Sequence, residues 1–174
     1  MKTIYEIMDG IGDLLKQVLP KEFQAGYNVI PHDIDKQSSL GNYVDLRLLD
    51  FETTNPSHNN IDFVYTVGVM ITSNTPLDSK KLGEYHSGTI AEMIHLYCGY
   101  HENDVNAYCL ANDYHLSNLG KVQIDNSNDM FNGSALFELT IKKSVELNLG
   151  MEVTKFIKQL YDTTHGLGGE IELS

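Results

Sequence analysis

The chain predicts an α+β fold: an antiparallel (mixed) β-sheet with a long β-hairpin, packed against two or three helices. Three patterns carry that prediction. Residues 134–149 put Ala135, Phe137, Leu139, Ile141, Val145, Leu147 and Leu149 on one side, with only Lys143 breaking the row, and Glu138, Thr140, Lys142, Ser144, Glu146 and Asn148 on the other. A period of two with one apolar and one polar face belongs to a strand of an antiparallel sheet. Residues 61–72 repeat it through Ile61, Phe63, Tyr65, Val67, Val69 and Ile71. Residues 3–19 instead repeat at three and four through Ile4, Ile7, Met8, Ile11, Leu14, Leu15 and Val18, the stripe of an amphipathic helix.

Taken in order, that first helix ends at Pro20. Gly10 and Gly12 lie within it and each weakens a helix by up to about 1 kcal/mol relative to alanine, so packing must stabilise it. An edge strand is predicted at 27–30, stopped by Pro31, and residues 36–42 (KQSSLGN) read as a polar loop. Residues 42–52 read as a strand with two half-apolar faces, Tyr43, Asp45, Arg47, Leu49 and Phe51 against Val44, Leu46, Leu48 and Asp50. TTNPSHNN, residues 53–60, has the Asn, Pro and Ser content of a turn-forming loop, which would close a large hairpin with 61–72.

Thr75-Pro76 has the form of an N-cap followed by proline at the first helical position. The helix it opens runs to Tyr97 through Leu82, Tyr85, His86, Ile90, Met93 and Ile94, with Gly99 as its stop. Short strands are predicted at 107–111 and 121–124, a turn at 126–133, and then the long strand. At roughly 3.3 Å per residue a sixteen-residue strand spans about 50 Å, so it either bends or projects beyond its own domain. Val153, Phe156, Ile157, Leu160 and Tyr161 predict a last helix at 151–162, before a glycine-rich tail. The chain of 174 residues suits one domain, with 151–174 as a C-terminal docking arm.

Composition narrows function. No apolar run approaches the ~20 residues of a membrane span, and Glu6 and Asp9 stand where a secretory signal would be apolar. No membrane partner and no signal-peptide secretion are expected, and Cys98 and Cys109 are expected to be reduced thiols. Twenty-four acidic residues face twelve basic ones, Arg47 being the single arginine, for a net charge of −12. Phosphate-backbone binding needs clustered Lys and Arg, so nucleic-acid binding is disfavoured. A surface of this sign is either a plain solubility device or one that DNA passes without sticking.

Asp50-Phe51-Glu52-Thr53-Thr54, preceded by Leu48 and Leu49, resembles the first motif of DEDD-type 3′-to-5′ exonucleases. In those enzymes a carboxylate pair at a strand end binds two divalent cations. Asp50 and Glu52 would share a strand face. The further carboxylates that the resemblance requires have candidates in Asp62 and in Tyr100 to Asp104, but both come too early in the chain. The alternative is that Asp50 and Glu52 are solvated positions on a hairpin strand, and a non-enzymatic adaptor module is a further functional reading of the chain. Cys98, His101, Cys109 and His115 are zinc-type ligands at spacings that fit no familiar site. His32-Asp33-Ile34-Asp35 reads as a solvated turn. Ser87-Gly88-Thr89 reads as a helix-packing site, and Gly166-Leu167-Gly168-Gly169 as a tail. Tyr43, Tyr65 and Tyr97 are read as core residues. No catalytic residue, metal or cofactor is expected.

The order helix, strand, large hairpin, helix, short strands, long strand resembles that of phage tail terminator and tail completion proteins, over residues 1–149 and in element order and length. The resemblance implies a non-enzymatic virion subunit that assembles in the host cytoplasm as a ring homo-oligomer, a hexamer. Its partners would be the tail tube protein and the head-completion or connector proteins, with DNA passing through an acidic lumen. It also places Gln37, Ser38, Leu40 and Asn42 in one contact loop and Thr54, Asn55, His58 and Asn60 in another.

Overall fold

The computed structural model describes residues 2–29, 41–57, 59–74, 87–99, 104–125, 132–146, 155, 157 and 158. Within them, six strands form one mixed, mostly antiparallel sheet in the order β1-β2-β3-β6-β4, with β5 also on β6. The strands are β1 (Phe23–Tyr27), β2 (Asn42–Ser57), β3 (Asn60–Asn74), β4 (His115–Leu119), β5 (Gln123–Asp125) and β6 (Asn132–Glu146). Only the β1–β2 pair is parallel. Helices α1 (Ile4–Val18), α2 (Ser87–Gly99) and α3 (Asp104–Ala111) complete the fold.

Helix α1 starts where the sequence predicts and has a capping box. The Thr3 hydroxyl accepts from the Glu6 amide at 3.3 Å, and the Glu6 carboxylate accepts from the Thr3 amide at 2.7 Å. Each satisfies an amide that the helix itself leaves without a partner. The Thr3 amide and then the Thr3 hydroxyl, which lies 3.0 Å from the same carboxylate, favour its ionised form and hold the Glu6 pKa below its ordinary value. Ile7, Met8, Ile11 and Leu15 are fully buried on the face toward the sheet. They meet Val44 and Leu46 of β2, Val67, Val69 and Ile71 of β3, and Ala135, Phe137, Leu139 and Ile141 of β6 in one core with Ile90 and Ile94 of α2.

Three predicted strands need correction, and a fourth strand was missed. The edge strand predicted at 27–30 lies at Phe23–Tyr27, because Asn28 takes φ of 57°, a left-handed turn conformation that asparagine tolerates. The strand predicted at 107–111 is the end of α3, which buries Val105 and Cys109 one turn apart. Strand β4 was not predicted; its stretch HLSNL puts only Leu116 and Leu119 toward the core, across from Ile141 and Leu139. The strand predicted at 121–124 is β5, Gln123–Asp125. Of the turn predicted at 126–133, residues 132 and 133 already belong to β6; residues 126–131, the predicted start of the second helix at 75–86, and the last predicted helix at 151–162 apart from helical residues 155, 157 and 158 lie outside the described residues.

The long strands carry the main architectural consequence. β3 and β6 pair without a register shift from Asn60↔Glu146 to Asn74↔Asn132. The long strand is thus one continuous ladder and is not divided into two pieces. Along its core-side face the fully buried residues of β3 end at Val67 and those of β6 at Ile141, Tyr65 and Tyr114 lie next to this border with their rings 6.2 Å apart, and the strands continue to Asn60 and Glu146.

Candidate interaction surface on the extended hairpin

Directly opposed residues share a sheet face. Beyond Tyr65 the core-side face therefore carries Phe63 and Ile61 on β3, Lys143 and Val145 on β6, and Phe51 and Thr53 on β2. The aromatic rings touch in series, Phe51 to Tyr65 and Phe63 to Tyr65, each with centroids 6.3 Å apart. Phe51 is nonetheless 58% exposed. Phe63, Ile61 and Val145 are half-buried. The face that is core in one half of the ribbon is apolar in the other as well, with Phe51 its exposed apolar member among the described residues.

Lys143 marks the border. It is the residue that breaks the apolar row, yet it is buried, and its ammonium lies 4.4 Å from the centroid of the Tyr114 ring. Its Nζ has no hydrogen-bond partner. Burial lowers its pKa, and the nearby Asp113 carboxylate only partly opposes that. The long stem folds back under Tyr114 and lets a cation sit on an aromatic face instead of in water. Tyr114 is itself pinned by a hydroxyl hydrogen bond to the Lys2 carbonyl at 3.0 Å.

The opposite face of β2 is organised by a bulge between Leu48 and Asp50. Leu49 is displaced by it onto Gly68, where any added Cβ would lie 3.0 Å from Leu49 Cδ1. Asp50 and Glu52 follow the bulge on this face, opposite Thr66 and Val64, and both are exposed. Closer to the core, Asp45 is fully buried. It accepts from the Val29 amide at 2.7 Å and is bonded to Arg47 Nε.

The predicted contact residues fall out as follows. Gln37, Ser38, Leu40 and His58 lie outside the described residues. Asn42 is not in a loop: it opens β2, opposite Phe23, and is buried. Thr54, Asn55 and Asn60 are not in a loop either. The β2–β3 ladder runs through Thr54↔Asp62 to Ser57↔Asn60, leaving a two-residue connection. Thr53 and Thr54 are β-branched and favour strand, and β6 supports the ladder from the other side as far as Asn60. Pro56 is accommodated at the second irregularity, on the edge strand, where proline does least harm.

The metal-type constellations do not assemble among the described residues. Asp50 and Glu52 do share a face, as expected, but Asp104 opens α3 in the helical layer and accepts from the Tyr97 hydroxyl at 3.4 Å. No group of three or more His, Cys, Asp or Glu able to hold a metal occurs among the described residues. Cys98 and Cys109 are buried free thiols, with burial pushing their pKa values up to about 12 and about 11. His115 is exposed on β4, and His101 and residues 32–35 lie outside the described residues. Ser87 and Gly88 are buried at the start of α2 as a packing site, and Tyr43, Tyr65 and Tyr97 are half-buried. No helix among the described residues is long and apolar enough to cross a membrane. No protein-family model and no curated protein matches the chain.

Proposed function

We propose that the chain is a structural virion subunit that caps a phage tail tube and joins it to the head connector. It assembles as a ring, a hexamer, whose acidic lumen passes DNA. One observation carries this reading: the distal end of a fifteen-residue ladder keeps an apolar row, Ile61, Phe63 and Val145 half-buried and Phe51 beside them 58% exposed. An apolar face of this kind is the mark of a protein–protein contact. The net charge of −12 supports the lumen, since a cationic lining would hold phosphates by counterion release.

The same charge sets the test. Six copies at −12 repel one another, and added salt shortens the screening length from about 10 Å at 0.1 M to about 3 Å at 1 M. Static light scattering across a salt series should show association growing with ionic strength, and negative-stain images at high salt should show rings. Association that weakens with salt, or a monomer at every salt concentration, would overturn the proposal.

A further inference from the structure

We draw no further inference here: the strongest candidate, the apolar row at the distal end of the hairpin with Phe51 exposed on it, already carries the proposed function, and nothing in the structure shows what covers it.

Discussion

Gly12→Ala tests whether α1 is held by close approach to the sheet. A Cβ at position 12 would lie 2.4 Å from Gly26 Cα, 2.8 Å from Gly26 N and 3.0 Å from the Ala25 carbonyl carbon. Optimal carbon–carbon separation is about 3.5–4.0 Å, so the helix must retreat by about 1 Å or the strand must buckle. The obstacle is backbone, which no rotamer change removes. Ile7, Met8, Ile11 and Leu15, all fully buried on the same helix, would withdraw with it. Overpacking of this kind costs typically 1–3 kcal/mol, and a rigid backbone obstacle puts it near the upper figure. Alanine returns about 1 kcal/mol of helix propensity, leaving a net loss of about 2 kcal/mol. For a chain of this length that is a drop of about 4–8 °C in Tm. Urea and thermal unfolding would read it. Gly10→Ala is the control, because its Cβ would meet the Tyr108 hydroxyl at 2.0 Å, the end of a side chain that can swing away. That variant loses only the Tyr108 contacts to the Glu6 carbonyl and to Lys2, so it should stay within about 1 kcal/mol of the wild type. A Gly12→Ala protein as stable as the wild type, or less damaged than Gly10→Ala, would refute the close-packing argument.

Replacing Lys143 with Met keeps the buried stem and removes an ammonium that has no hydrogen-bond partner, so stability at neutral pH should rise by about 1 kcal/mol. Because burial lowers the folded-state pKa of Lys143 below the ordinary 10.5, the unfolded chain binds more protons there. Wild-type stability should therefore gain an increment as pH rises through the folded pKa toward 10.5, and Lys143→Met should lack it in urea melts across that range. Arg47→Met removes the guanidinium bonded to fully buried Asp45 and should cost about 3 kcal/mol, with a cost below about 1 kcal/mol in urea melts contradicting the assigned role. The thiols of Cys98 and Cys109, raised to about 12 and about 11 by burial, should react with a disulfide reagent at pH 8 at least 100-fold more slowly in the native protein than in urea, and rapid native labelling of both would overturn that.

The sequence was most legible where a single physical demand repeats. The alternation along β3 and β6 and the three-and-four spacing of α1 each reflect one face turned to one core, and these elements lie where the pattern puts them. The Thr3-x-x-Glu6 spacing of the capping box also stands in the sequence, although the helix was placed by its apolar stripe alone. Elements settled by tertiary context were not legible. Helix α3 has eight residues, barely two turns, too few for its period to stand apart from that of a strand. Strand β4 is largely polar because only two of its residues face the core. The stretch 53–60 has turn composition, yet β6 alongside it extends the ladder almost to its end. Phe51, Phe63 and Val145 were recognisable as strand residues on apolar rows. The partial exposure of this face was not, because it depends on tertiary contacts such as those of Tyr114 with Tyr65 and Lys143.

The edge of β2 bears on what kind of contact the ribbon can make. β1 pairs only with Asn42 to Leu46, so from Leu48 onward the outer edge of β2 has no partner strand among the described residues. A long free edge invites strand addition and open-ended aggregation. Here the bulge between Leu48 and Asp50 breaks the regular spacing of backbone donors, Asp50 and Glu52 place two charges just beyond it, and Pro56 removes an amide near the tip. These are devices by which edges are kept from pairing. They give the two carboxylates a physical role that requires no metal. With backbone pairing disfavoured along the edge, the ribbon retains its apolar face as the surface for association. A face of defined shape binds one partner in one geometry, whereas a bare edge recruits chains without limit. The guarded edge therefore disfavours open-ended strand addition and leaves side chains, Phe51 the most exposed of them on the apolar row, as what the ribbon presents.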